Sequence, residues 1–186
     1  IKNPRINSKG VDTSAVFGFT NSLFEIINKE KPTHLAVVFD TKAPTQRHVD
    51  FPQYKAQREA MPEGIREALP YIDLLLEALN IPKIFLDGFE ADDLIGTLAK
   101  KAEKTGFIVY MMTPDKDFAQ LVSENIFMYR PATKWSAATK WGVKEVLDNF
   151  KIKEIQQVID YLAMMGDSAD NIPGIPGVGK KTAQKF

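Results

Sequence analysis

Cysteine is absent from the 186 residues, and only two histidines, His34 and His48, are present. The first absence excludes a disulfide framework and any thiolate zinc site, and it suits a reducing compartment. The scarcity of imidazole argues against a histidine-rich metal centre. No apolar run reaches about 18 residues, so no membrane-spanning helix is expected, and no secretory leader pattern is visible. Net charge is missing as well, because 24 Lys/Arg balance 24 Asp/Glu. What is present is a 44% hydrophobic content, enough for one good-sized domain with a real core.

The zero net charge hides an uneven distribution. Residues 1–66 carry 10 basic against 7 acidic side chains, residues 67–130 carry 6 against 11, and residues 131–186 carry 8 against 6. Eight acids fall in short clusters: Asp40 in HLAVVFD, Glu90, Asp92 and Asp93 in GFEADD, Asp115 and Asp117 in TPDKD, and Asp167 and Asp170 in GDSAD. Without those eight the rest of the chain is +8. Convergent carboxylates repel one another unless cations sit between them. Hard divalent ions such as Mg²⁺ or Mn²⁺ are the natural counter-ions of an all-oxygen site. A basic surface around such a site suits a polyanion.

Periodicity places the clusters. After a polar opening loop, Ile1–Val11, Thr13 or Ser14 can cap a helix carrying Val16, Phe17, Phe19, Leu23, Ile26 and Ile27 at helical spacing. Leu35–Phe39 reads as a buried parallel strand ending in Asp40. Residues 41–60 are polar and basic with little core signal. Pro62 starts a helix in its first turn. Strands are expected at Ile84–Leu86, Phe107–Met112 and Ile126–Tyr129, and helices at Glu90–Lys104, Asp115–Leu121, Val143–Phe150 and Ile155–Met165. The alternation predicts an α/β fold with a mostly parallel sheet over residues 1–140, followed by a helical region, residues 141–186.

In such sheets, sites form beyond the carboxyl ends of the strands. Four chain segments can therefore aim carboxylates at one crevice, where two metals about 4 Å apart would activate water and stabilise a leaving oxygen. Glu90 and Asp93 share a helix face, with Asp92 turned away from them. Each cluster alone has a plainer explanation as a helix cap, a favourable charge on a helix dipole or a solvated turn. The conjunction is what points to metal.

The terminal GIPGVGKKT approximates a nucleotide-binding loop, but Lys181 stands where Ser or Thr is required, and the segment follows a helix rather than a strand. A hairpin between two short helices fits better. Gly177 and Gly179 would let backbone N–H groups approach a DNA phosphate beside Lys180 and Lys181.

Taken in order, VVFD, RxxxFPQYKAQR, GFEADD, TPDKD and GDSADNIPGIPGVGKKTA resemble the 5′-nuclease (flap endonuclease) family, in its bacterial, polymerase-linked 5′→3′ exonuclease branch. The resemblance runs over essentially the whole chain. It implies a PIN-like sheet flanked by helices, a helical arch and a helix-hairpin-helix DNA clamp. It implies cleavage at 5′ ends and flaps of nicked or branched DNA, and removal of RNA primers in replication and repair. By motif position, Asp40, Glu90, Asp92, Asp93, Asp115, Asp117, Asp167 and Asp170 would hold two Mg²⁺ or Mn²⁺ ions, directly or through water. Tyr54, Lys55 and Arg58 fall in the arch, with Lys55 and Arg58 meeting the scissile phosphate and Arg47 at the entry. The hairpin, residues 173–183, would bind duplex backbone and hold K⁺ through its carbonyls.

The resemblance further implies a monomer of the bacterial cytoplasm and nucleoid, with polymerase domains following. It also implies a first strand bearing another metal-binding aspartate, which would precede Ile1, and helices beyond Phe186, so that this chain is expected to be a piece of the domain. Two rivals remain open: a non-catalytic DNA-junction module, and a small-molecule metal phosphatase. The phosphatase reading lacks an aspartate two residues after Asp40, where Lys42 stands, and it leaves the basic arch and the hairpin without a role.

Overall fold

The computed structural model describes residues 4–132 and 136–186; the first three residues of the expected opening loop lie outside them. The chain divides into two compact units, Ile1–Phe39 with Glu59–Phe85, and Asp40–Arg58 with Leu86–Phe186.

In the first unit, helix α1 (Ser14–Lys29) packs on helix α3 (Glu63–Ala78), and a two-residue strand β1 (Val37–Val38) pairs in parallel with β2 (Lys83–Ile84). Leu23, Ala68, Ile72 and Leu76 are buried at its centre, with Leu35, Val37 and Phe39 against them. The expected strand Leu35–Phe39 is thus shorter as a ladder than as an apolar run. Val37 and Phe39 donate backbone bonds across it, to the carbonyls of Pro82 and Ile84, both at 2.9 Å. Thr13 is the N-cap of α1, as expected, but its side chain makes no cap bond. The Thr13 hydroxyl donates instead to the Arg5 carbonyl, and Asp12 accepts from the Ser14 N–H at 2.8 Å. Pro62 is the residue before α3, not part of its first turn.

In the second unit the segment with little core signal contains a five-residue helix, α2 (Gln46–Asp50). Helix α4 (Ala91–Lys104), strand β3 (Val109–Met112), a 3-10 helix (Lys116–Leu121), strand β4 (Ile126–Arg130), strand β5 (Thr139–Trp141) and helices α5 (Val143–Phe150), α6 (Gln157–Met165) and α7 (Lys180–Ala183) follow. β3 and β4 are parallel. β5, unforeseen in the sequence, joins β4 antiparallel at the edge, Met128 opposite Trp141. One core joins sheet and helices: Met111, Phe118, Ala119, Ile126 and Met128 pack with Val146, Phe150, Val158 and Tyr161. Val146 and Val158 are fully buried, each contributing about 1.5 kcal/mol or more by transfer from water. This core anchors the helical region to the strands whose ends carry the acids. No helix among the described residues is long and apolar enough to cross a membrane.

Candidate functional site

All eight clustered acids lie in the second unit. GFEADD builds the start of α4. Glu90 is its N-cap, and the Asp93 carboxylate accepts from the Glu90 N–H at 3.0 Å. Asp40 Oδ1 accepts from the Ala91 N–H at 2.7 Å. These acids do cap a helix, as the plainer explanation held, but the carboxylates of Glu90 and Asp93 also face cations.

Arg47, on α2, donates to both oxygens of Asp93, at 2.8 and 2.7 Å, and stands 3.8 Å from Glu90. Lys55 donates to Glu90 Oε1 at 2.7 Å and lies 3.7 Å from Asp170. The Tyr54 hydroxyl donates to Glu90 Oε2 at 3.0 Å and to Asp170 Oδ2 at 3.3 Å. Arg58 is paired with the other oxygen of Asp170. Tyr54, expected with the DNA-facing arch residues, is 6% exposed, its ring set edge-on against His48. Its hydroxyl reaches two carboxylates, those of Glu90 and Asp170. Burial pushes that phenol up to about 12, so it stays a donor. Burial opposes the Lys55 charge, but Glu90 and Tyr54 outweigh it and raise its pKa, so Lys55 is suited to stabilising charge, not to removing a proton.

The second acidic loop is fastened to residues 53–57. The Lys55 N–H donates to the Asp170 carbonyl at 3.0 Å, Gln57 to the Ser168 carbonyl at 2.6 Å, and Asn171 to the Gln53 carbonyl at 2.8 Å. The loop itself is closed by paired bonds between Asp167 and Ile172, at 2.9 and 2.8 Å. Closure brings Gly174 onto residues 165 and 166. A Cβ on Gly166 would meet the Gly174 nitrogen at 2.3 Å, and one on Gly174 would meet the Met165 backbone at 2.4 Å. Glycine is required at both by close approach, and at Gly166 also by a φ of +66°.

TPDKD forms the entry to the 3-10 helix, where Asp115 accepts from the Asp117 N–H at 2.9 Å. Lys116 donates to Asp167 at 2.6 Å and lies 3.3 Å from Asp117 Oδ1. That Asp117 oxygen is buried and makes no hydrogen bond. Burial raises the Asp117 carboxyl, Lys116 opposes this, and the charges of Asp115 and Asp167 add to it. The Lys116 hydrogen bond holds Asp167 below the ordinary carboxylate range. Asp92 lies within electrostatic reach of Asp115, Asp40 and Glu90. Partial desolvation, then the charges of Asp115 and Asp40, push its carboxyl up to about 6, although the residue keeps solvent contact.

Glu90, Asp93 and Asp170 are interleaved with Arg47, Tyr54, Lys55 and Arg58; Lys116 joins Asp117 and Asp167; Asp92 meets the charges of Asp115, Asp40 and Glu90, and Asp115 also acts on Asp117. Among the described residues, no three acids or histidines stand together as a ready metal cage. Basic side chains stand between several of the carboxylates that the sequence aims at one crevice. The donor set still fits a hard divalent ion. It is all oxygen, one buried oxygen lacks a hydrogen bond, and one carboxyl is raised by its neighbours' charges. Lys116, Gln57 and Asn171 were missed as site residues; each lies inside or beside a quoted motif, but only contacts reveal its part. Gly177 has a φ of +79° in the hairpin, Gly179 is the N-cap of α7, and Lys180 and Lys181 open that helix with exposed side chains.

Residues 1–154 match the family model described as 5′-3′ exonuclease, N-terminal resolvase-like domain, and residues 153–186 the one described as 5′-3′ exonuclease, C-terminal SAM fold. The chain is 43% identical to the 5′-3′ exonuclease of Aquifex aeolicus over 97% of its own length and 61% of that protein's. It is 44% identical to DNA polymerase I of Bacillus subtilis over 97% of its length and 20% of the polymerase's. It thus spans less than two thirds of either relative. Among solved structures, the bacteriophage T5 D15 flap endonuclease in a complex with DNA and metal ions matches with a TM-score of 0.74 at 21% identity, over 98% of this chain and 68% of that one. The Rad2 catalytic core with DNA substrate matches at 0.59 and 18%, over 94% and 52%. These likenesses establish a shared fold, with mixed strands and helices in the same arrangement. Matched along its full length by the two successive family models, the chain belongs to the 5′-3′ exonuclease family.

Proposed function

We propose that this chain is the catalytic part of a divalent-metal-dependent nuclease that hydrolyses phosphodiester bonds at 5′ ends and flaps of DNA. One observation carries the reading: the cations expected to meet a phosphate, Arg47, Lys55 and Arg58, sit directly on acids expected to hold metal, Glu90, Asp93 and Asp170. A phosphate would meet both kinds of group at once.

Asp40, Glu90, Asp92 and Asp115 on one side, and Asp117, Asp167 and Asp170 on the other, would hold Mg²⁺ or Mn²⁺, with Asp93 supporting Glu90. Bound there, the ions supply an activated water and a counter-charge for the leaving oxygen. The chain's own residues do the rest. Arg47, Lys55 and Arg58 orient the phosphate and stabilise charge that builds on it. Tyr54 keeps Glu90 and Asp170 in place. Gly177, Gly179, Lys180 and Lys181 contact the duplex backbone, in a hairpin whose carbonyls would suit K⁺. Residues 1–140 act as the catalytic region and residues 141–186 as the DNA clamp. The substrates in this reading are 5′ flaps, nicked or branched duplexes and RNA primers. The acting species is a monomer joined to polymerase domains in the bacterial nucleoid.

The cations already seated on Glu90, Asp170 and Asp167 favour one second reading, a DNA-junction module without hydrolysis. An end-labelled 5′-flap duplex, incubated in Mg²⁺ and separately in Ca²⁺ or chelator, separates the two. A short flap product in Mg²⁺ alone is expected; binding without product establishes the second reading. Asp115→Ala or Asp117→Ala should abolish cleavage while sparing most DNA affinity, and unchanged turnover would remove those residues from the assignment.

A further inference from the structure

Lys116 is a cation paired with two acids of the site, Asp167 and Asp117, and has no role in the proposed nuclease reaction. It reaches from the start of the 3-10 helix to the second acidic loop, 2.6 Å from Asp167 and 3.3 Å from Asp117. Its side chain is 45% exposed, close to the 47% of Arg47 and 53% of Arg58. All three thus share one arrangement: a half-exposed cation resting on an acid of the expected metal set. Lys116 rests on the acids of the 115–117 and 167–170 segments that Arg47 does not touch. On the Asp117 side the contact is the longer of the two, 3.3 Å against 2.6 Å to Asp167.

We propose that Lys116 is a further phosphate-binding cation of the site, held on Asp167 and Asp117 and released to a DNA phosphate when those carboxylates turn to a divalent ion. The inference rests on the nuclease reading. Its physical basis is competition. A half-exposed ion pair with a flexible lysine is weak, and a doubly charged ion displaces it readily from two acids. The freed ammonium keeps its charge and its long stem at the edge of the site, where a backbone phosphate is its natural partner. Metal and DNA then assist one another, because each removes a partner the other would have to displace. A purely structural lysine, tying the 3-10 helix to the loop, would behave oppositely: its loss would loosen both acids and weaken metal binding.

The test uses the full-length protein and its Lys116→Gln and Lys116→Arg variants. Mn²⁺ affinity without DNA is read by electron paramagnetic resonance, and 5′-flap affinity is read against salt in Ca²⁺ and in chelator. K116Q should bind Mn²⁺ several-fold more tightly than the parent. In Ca²⁺ its plot of log affinity against log salt should be shallower by about 0.9, the loss of one phosphate contact, with no such change in chelator. K116R should keep the parental slope. Weaker or unchanged Mn²⁺ binding by K116Q, or an unchanged slope in Ca²⁺, overturns the proposal while Mg²⁺-dependent flap cleavage by the parent leaves the nuclease reading standing. A parent that neither binds nor cleaves flaps overturns both.

Discussion

Arg47 and Asp93 form a two-pronged ion pair, both guanidinium nitrogens within 2.8 Å of the two carboxylate oxygens, across 46 residues of chain. It fastens the short helix α2 to the start of α4. The same Asp93 carboxylate also caps the Glu90 N–H, so the acid keeps a function in the fold if the arginine leaves. Arg47→Gln should therefore cost no more than about 1 kcal/mol in urea unfolding, as expected for a half-exposed pair. Flap binding should weaken by about tenfold, roughly one phosphate contact. Arg47→Lys should restore only part of it, because a lysine cannot hold two oxygens in a plane.

Tyr54→Phe separates packing from hydrogen bonding. The ring stays buried against His48, but Glu90 and Asp170 lose a shared donor. Bonds to charged acceptors contribute about 1.5–3 kcal/mol, and a loss in the lower part of that range is expected in chemical denaturation. Cleavage should fall through kcat with little change in DNA affinity, since Tyr54 positions acids and does not face solvent. A loss confined to DNA affinity would show instead that the ring contacts the strand.

Asp92 gives the metal-free protein a pH signature. Its ordinary pKa of 3.8 rises to about 6 in the fold. Between those values the folded state holds more proton than the unfolded one, so stability contributed by this group declines as pH rises from about 4 to about 6. Solvent contact screens the effect, which should be on the order of 1 kcal/mol. Asp92→Asn should flatten the profile in thermal melts with chelator present; a profile that Asn leaves unchanged would show that Asp92 is not the crowded acid.

Glycine substitutions test the loop closure. Gly174→Ala places a methyl among backbone atoms at 2.4–2.6 Å, and a shift of the backbone is the only relief. A cost of about 2 kcal/mol or more is expected, with Asp167 and Asp170 displaced and cleavage lost. Gly18→Ala, in α1 with open space around it, is the control and should stabilise the protein by about 0.5–1 kcal/mol. Equal effects at the two positions would contradict the close approach.

Much of the site was legible because its acids sit in compact motifs. GFEADD names a helix start, TPDKD a turn into a short helix, and GDSAD a tight loop, and each forms where the local pattern puts it. Less legible were features that depend on distant partners. Val37–Val38 pairs only where Lys83–Ile84 comes alongside. β5 exists because Thr139–Trp141 meets the edge of β4, and no periodicity in three residues announces that. Tyr54 looked like part of an exposed basic arm, yet it is buried because the arm folds back onto the 167–171 loop.

The sequence by itself determined the chemistry: which oxygens, which cations, in which segments, and the helices and apolar runs that carry them. Propensity, capping and hydrophobic period act over a few residues, so they are written locally. The tertiary structure alone decided the pairing. That Arg47 meets Asp93, that Lys55 and Tyr54 share Glu90, and that Lys116 bridges to Asp167 depends on packing that brings residues 35 to 51 positions apart into contact. Between charges, a few ångströms decide whether an acid is a cap, an ion-pair partner or a ligand, and those distances are properties of the folded core.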